Sequence, residues 1–175
     1  CISSAASDVY KRQAQSQHLI LASASPRRLE LLQQVGLEPE RLLPADIDEA
    51  QHGSEHPRSL AKRLSQGKAE AAVAVLERLQ ERAGRFVLAA DTVVCVGRQV
   101  MPKAELIEDA HANLRILSGR THRVYTGVCV IGPSGRLRQR LVETRVRFKR
   151  LTRQDMDQYL ASGEWRGKAG GYAIQ

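Results

Sequence analysis

Two serines and two arginines fall within six residues at Ser23-Ala24-Ser25-Pro26-Arg27-Arg28. They follow a short apolar run, His18 to Ser23 (HLILAS), and precede a helical pattern, so they lie where a strand hands over to a helix. Free backbone N–H groups and the helix dipole favour an anion at such a junction. Hydroxyls and guanidiniums add donors matched to phosphate. An ordinary capped helix with solvated arginines reads the same way. The segment is not a Walker loop, because the glycines and the Gly-Lys-Ser/Thr ending are absent.

Lys68 falls on a helical stripe made by Leu60, Leu64, Ala71 and Val75. A lysine on a core-facing stripe either snorkels to water or meets an anion. Asp91-Thr92 interrupts the apolar run Phe86 to Val96 (FVLAADTVVCV). Burying an unpaired carboxylate costs several kcal/mol, so such an aspartate is paired with a cation or placed at an exposed strand end. Strand carboxyl ends in open α/β sheets commonly carry the ligand site. Asp46, Asp48 and Glu49 form an acidic knot that could ligate a hard metal or simply solvate a turn. Lys103 follows Pro102 in a short loop, and His122 has no serine or cysteine partner in a recognisable triad.

The elements that must position these groups can be read from periodicity. Ser25 and Pro26 open a helix through Leu29, Leu32 and Val35, closed by Gly36. Leu37 to Ile47 is expected to be extended. A long helix is expected from Pro57 to Glu81, with Leu79 ending its stripe. Phe86 to Val96 reads as a central strand buried on both faces. A helix over Leu106 to Leu117 follows. Next comes a hairpin with strands from His122 to Ile131 and through Val142, Thr144, Val146 and Phe148, turning at Pro133-Ser134-Gly135. Thr152 with Asp155 starts a last helix, and Gly163 to Gln175 is a glycine-rich loop. The fold class is α/β with a mixed sheet. Residues 1–13 show no periodic face and are read as a non-native or disordered tail before a domain over 14–175. The stop inside a glycine-rich loop is read as truncation at the C-terminus.

Composition narrows the class. The 175 residues are 42% hydrophobic and 26% charged, which suits a packed domain rather than a disordered chain. The net charge of +8 favours a polyanionic partner, but only 4% of residues are aromatic and no aromatic-basic stacking pattern is present. That argues against a stable nucleic-acid complex. Cys1, Cys95 and Cys129 are odd in number and form no CxxC, which suits the reducing cytoplasm better than a disulfide or zinc framework. No apolar stretch approaches the ~20 residues of a membrane span.

Seven segments, in order, resemble the Maf family of nucleoside triphosphate pyrophosphatases: LASASPRRLELLQQVGL, Glu49 in an IDE-like segment, Lys68 in a helical KA pair, AADTVV around Asp91, Lys103, LSGRTHRVYTGV with ETRVRF, and GKAGGYAIQ. The resemblance spans roughly residues 17–175. It implies an elongated α/β fold with two lobes and a cleft between them. It also implies a divalent cation, Mg²⁺ or Mn²⁺, as cofactor. By position, Ser23, Arg27 and Arg28 would hold phosphates, with Gln175 also facing the substrate. Glu49 and Asp91 would handle metal and water, and Lys68 and Lys103 would neutralise phosphate charge. Pro102 precedes Lys103, where the family usually has Lys-Pro. SPRR, Asp91-Thr92 and Ile174-Gln175 resemble the branch preferring dTTP and UTP over 7-methyl-GTP. Water would attack the α-phosphorus, releasing pyrophosphate. A homodimer is compatible with this reading. The family's link to septum formation leaves a regulatory role as the alternative class.

Overall fold

The apolar run after His18 forms a strand of three residues, β1 (Leu19–Leu21), in a computed structural model that describes residues 18–173. The expected tail over 1–13 and the candidate Gln175 lie outside the described residues. A helix follows directly, α1 (Pro26–Gln34). Then come β2 (Arg41–Leu42), α2 (Pro57–Arg78), β3 (Phe86–Val96) and β4 (Gln99–Met101). The chain continues through α3 (Ile107–Leu117), β5 (Thr121–Ile131), β6 (Leu137–Arg147) and α4 (Arg153–Ser162). The six strands make one mixed sheet in the order β2-β1-β3-β5-β6, with β4 on β3. β1 is parallel to both β2 and β3, and β4 is antiparallel to β3. The mixed α/β class expected from the sequence is therefore present.

The chain divides into two units. The first gathers the chain up to Glu49 with Leu64–Ala90 and Val128–Arg140; the second gathers Ala50–Arg63, Asp91–Gly127 and the chain from Leu141 onward. In the first, Ala69, Ala72 and Leu76 of α2 pack on Ile20, Ala22, Val87, Ala89, Cys129 and Ile131. The alanines let helix and sheet backbones approach closely. They also explain why the buried stripe differs from the expected one. Leu60, Leu64 and Lys68 are buried, but the stripe continues through Ala69, Ala72 and Leu76, while Leu79 is exposed. Four alanines lie in the stretch from Ala69 to Ala74, so hydrophobicity alone does not distinguish the buried Ala69 and Ala72 from the half-buried Ala71.

In the second unit, Val94, Met101 and Leu117 form one cluster, joined by Val124, Phe148, Ala169 and Tyr172. Ala104, Ala110 and Trp165 form another, with Tyr159 and Leu160 against it. Asp109 accepts the Leu106 N–H at 3.0 Å at the head of α3. Thr152 and Asp155 make the expected reciprocal cap of α4, with Thr152 Oγ1 accepting the Asp155 N–H at 3.1 Å and Asp155 accepting the Thr152 N–H at 2.8 Å.

β3 matches its expected bounds, but one face is buried and the other only half-buried as far as Thr92. Between Leu37 and Ile47 only Arg41–Leu42 pairs as strand. β6 departs most from expectation. Val142 and Thr144 are exposed rather than inward, because β6 is the last strand of the sheet among the described residues. Arg138, Arg140, Arg145 and Arg147 are exposed along it. Among the described residues, no helix is long and apolar enough to cross a membrane.

Candidate functional site

The junction after β1 is built around one serine oxygen. Parallel pairing extends one step past β1, where the Ala22 N–H donates to the Leu88 carbonyl at 2.8 Å. Ser23 follows, buried, and its Oγ accepts the Ser25 N–H at 3.2 Å and a guanidinium N–H of Arg28 (Nη1) at 3.0 Å. Ser25 occupies the N-cap position of α1 in an extended conformation but places no side-chain cap on the helix. Pro26 has no N–H and the Arg28 N–H donates to the Ser25 carbonyl at 3.1 Å, which leaves the Arg27 N–H of the first turn for an anion. Arg27 is exposed and Arg28 is half-buried. The structure thus brings Ser23, Ser25 and Arg28 together as a donor-rich turn, with Arg27 beside them in the chain.

Lys68 does not snorkel. Its side chain is 10% exposed, and its Nζ lies 2.6 Å from Glu49 Oε1. A buried ammonium is tolerable when an anion compensates it, and Glu49 supplies that anion from a more exposed position. The second candidate group is thus a cation–carboxylate pair, again within the first unit. Gly67 precedes Lys68 where a Cβ would come within 3.2 Å of Ile47 Cδ1, so the Asp46–Glu49 segment approaches α2 closely there. Asp46 and Asp48 are exposed in this segment.

The remaining candidates belong to the second unit. Asp91 is buried in β3. Thr92 is half-buried, its Oγ1 paired with Thr126 Oγ1 at 3.2 Å. Lys103 is exposed, and its backbone bridges to Ala169 in the glycine-rich loop. The Gly167 N–H donates to the Ala104 carbonyl and the Gly170 N–H to the Pro102 carbonyl, both at 3.1 Å. Pro102, Lys103 and Ala104 thus lie against the glycine-rich loop through a single antiparallel bridge and these two bonds. Among the described residues, no three His, Cys, Asp or Glu side chains gather to hold a metal, so a cation at Glu49 or Asp91 needs oxygens from elsewhere.

His122 is not a nucleophile's partner but the centre of an aromatic cluster. It is buried, stands edge-on to Phe148 at 5.2 Å and to Tyr172 at 5.4 Å, and its Nε2 is hydrogen-bonded to the Tyr172 hydroxyl. Burial pushes the His122 pKa below its ordinary value and the Tyr172 hydroxyl up to about 12. Cys95 and Cys129 are buried free thiols, with Cys129 raised to about 11 by burial. Sequence reasoning missed Glu55 and Arg63, which make a two-pronged ion pair with Arg63 Nε to Glu55 Oε1 and Arg63 Nη2 to Glu55 Oε2, both at 2.9 Å. The available signal was an arginine at the margin of the α2 stripe, three residues after Leu60.

Comparison with known proteins shows the family and the fold. A family profile described as Maf-like protein matches residues 18–175. A dTTP/UTP pyrophosphatase of Mesorhizobium japonicum is 67% identical over 91% of this chain and 76% of its own length. Those of Chelativorans sp. and Rhizobium meliloti are 64% and 58% identical, covering 90% and 93% of this chain and 75% and 79% of their own lengths. Among solved structures, the Staphylococcus aureus Ham1 protein shares the fold with a TM-score of 0.50 at 15% identity, over 73% of this chain and 69% of its own.

Proposed function

The chain belongs to the Maf-like protein family, and on that premise we propose that it is a nucleoside triphosphate pyrophosphatase that hydrolyses dTTP and UTP to the monophosphate and pyrophosphate. The observation that carries this is the 67% identity, over 91% of the chain, to a dTTP/UTP pyrophosphatase.

Water attacks the α-phosphorus, and the bond from that phosphorus to the bridging oxygen breaks. Charge grows on the nonbridging oxygens and on the departing pyrophosphate. The guanidiniums of Arg27 and Arg28 and the Arg27 backbone N–H bind phosphate oxygens, with Ser23 holding Arg28 in place. Lys68 and Lys103 neutralise developing charge. Asp91 accepts a proton from the attacking water. Gln175 contacts the substrate, and Thr92 helps select the base.

The donors suit a hard divalent cation. Glu49 in the first unit and Asp91 in the second are each a carboxylate of the kind a hard cation takes. Mg²⁺ takes one or two carboxylates and completes its shell with water and substrate phosphates. When bound, such a cation supplies Lewis-acid stabilisation of the phosphoryl oxygens. The free thiols Cys95 and Cys129 suit a cytoplasmic setting. The test is pyrophosphate release from dTTP and UTP with Mg²⁺, then with excess chelator. Release that stops on chelation and returns with Mg²⁺ is expected; no release from either nucleotide sinks the assignment.

A further inference from the structure

Arg63 does more than pair with Glu55. The same guanidinium nitrogen that meets Glu55 Oε2, Nη2, donates to the Ala50 carbonyl at 2.7 Å. Ala50 is the residue after Glu49, whose carboxylate holds Lys68. Further bonds tighten the segment between. Glu55 Oε2 accepts the His52 N–H at 3.3 Å, Gln51 Nε2 donates to the Glu55 carbonyl at 2.5 Å, and Arg98 Nη2 donates to the Ser54 carbonyl at 3.1 Å. The segment over residues 50–55 lacks regular secondary structure, so these side chains, rather than a helix or strand ladder, fix its path.

We infer that Arg63 is a positioning residue for Glu49: by gripping the Ala50 carbonyl and the Glu55 carboxylate together, it fixes the backbone that presents the Glu49 carboxylate. The physical reason is leverage. Glu49 is an exposed side chain on an irregular stretch, where side-chain contacts rather than a helix or strand ladder set the backbone path. Its partner Lys68 is fixed by the buried face of α2. A fixed cation facing a wandering carboxylate would form the pair only part of the time. A planar guanidinium can bind two carboxylate oxygens and one carbonyl at once, which a lysine ammonium cannot do with the same geometry. Glu55 is the counter-anchor, and Arg63 holds its carboxyl below the usual carboxylate range, so it stays ionised at neutral pH.

The inference rests on the reading that Glu49 takes part in dTTP hydrolysis, and a double-mutant cycle separates the two. The full chain is assayed for pyrophosphate release from dTTP with Mg²⁺ as Glu49→Gln, Arg63→Gln, Arg63→Lys, Glu55→Gln and the double variant Glu49→Gln/Arg63→Gln, with a melting curve for each. Expected are a kcat loss of at least tenfold for Arg63→Gln, a partial loss for Arg63→Lys and Glu55→Gln, and a double variant no slower than Glu49→Gln alone. General loosening of the fold would instead multiply the two losses. Should Arg63→Gln fail to fold, Glu55→Gln replaces it in the cycle. Multiplying losses, or wild-type kcat in Arg63→Gln, overturns the inference and leaves the role of Glu49 standing. Wild-type turnover in Glu49→Gln overturns both.

Discussion

Asp91 sits in β3 at 6% exposure, where an ionised carboxylate carries a desolvation cost. A purely structural aspartate repays that cost through its partners, and neutralising it lowers stability. A catalytic one loses chemistry instead. Asp91→Asn keeps the shape and removes the basicity. The expected result is turnover reduced by at least ~10²-fold, the scale of a lost general base, with the melting temperature unchanged or raised. Melting curves beside pyrophosphate-release kinetics decide it, and near-normal turnover in a folded variant removes Asp91 from the mechanism. His122 gives the second prediction at this scale. Its folded pKa lies below the unfolded value of about 6.5, so the unfolded chain binds the proton first as pH falls. Its contribution to stability is full above that value and declines as pH drops toward the depressed folded pKa. The carboxylates of Glu40, Glu55 and Asp155 are also lowered, but they titrate in a more acidic range. The melting temperature should therefore fall between pH 7 and pH 5 in the wild type. It should fall less in His122→Phe, which keeps the ring against Phe148 and cannot titrate. Parallel curves for the two proteins would rule His122 out as the cause.

The glycine-rich loop and the Lys103 segment act as one element, and Gly170 shows what holds them together. Its φ is +70°, and a Cβ there would lie 3.0 Å from Val94 Cγ1 and 3.2 Å from Val94 Cβ. Gly170→Ala therefore combines backbone strain with a clash against β3, each on the order of 1–3 kcal/mol. A fall of several degrees in melting temperature is expected, with a larger loss of dTTP turnover than stability alone explains, because Lys103 is bridged to the neighbouring Ala169. Thermal unfolding and kcat measured together test this; an unchanged melting temperature would show that the loop yields. Elements of this kind mark where sequence reading stops. The bounds of β3 were legible because the run from Phe86 to Val96 is largely apolar and flanked by glycines, though its burial on both faces was not met. The cap of α4 followed from the local spacing of Thr152 and Asp155, whereas the Asp109 cap of α3 was not read from the sequence. The α2 stripe drifted because alanines carry little signal. The pairing of Lys68 with Glu49, of Arg63 with Ala50, and of His122 with Tyr172 joins residues up to 50 apart, and no local spacing encodes such contacts. The candidate residues were therefore visible by type, while the partners that fix them were not.

At the scale of the whole molecule, the +8 charge should draw a triphosphate toward the protein. Selectivity must then come from the base. A pyrimidine edge that matches the site's polar groups leaves none unpaired, whereas a mismatched base costs ~1–3 kcal/mol per unsatisfied group. The kcat/KM for dTTP and UTP is expected to exceed that for 7-methyl-GTP by at least tenfold. A competition assay across the three nucleotides measures this, and equal turnover of 7-methyl-GTP would refute the pyrimidine preference. The same charge has a second effect through β6. Among the described residues that strand ends the sheet, and it exposes Val142 and Leu137 beside Arg138, Arg140, Arg145 and Arg147, with Glu143 between them paired to Arg123. Open strand edges invite pairing with other chains, and a row of like charges deters it. Two copies meeting along β6 would set arginine against arginine. The repulsion reaches about 10 Å at 0.1 M salt and only about 3 Å at 1 M. Concentrated brine thus removes the guard from an adhesive edge, and light scattering should show the protein clumping there while it stays dispersed in dilute buffer.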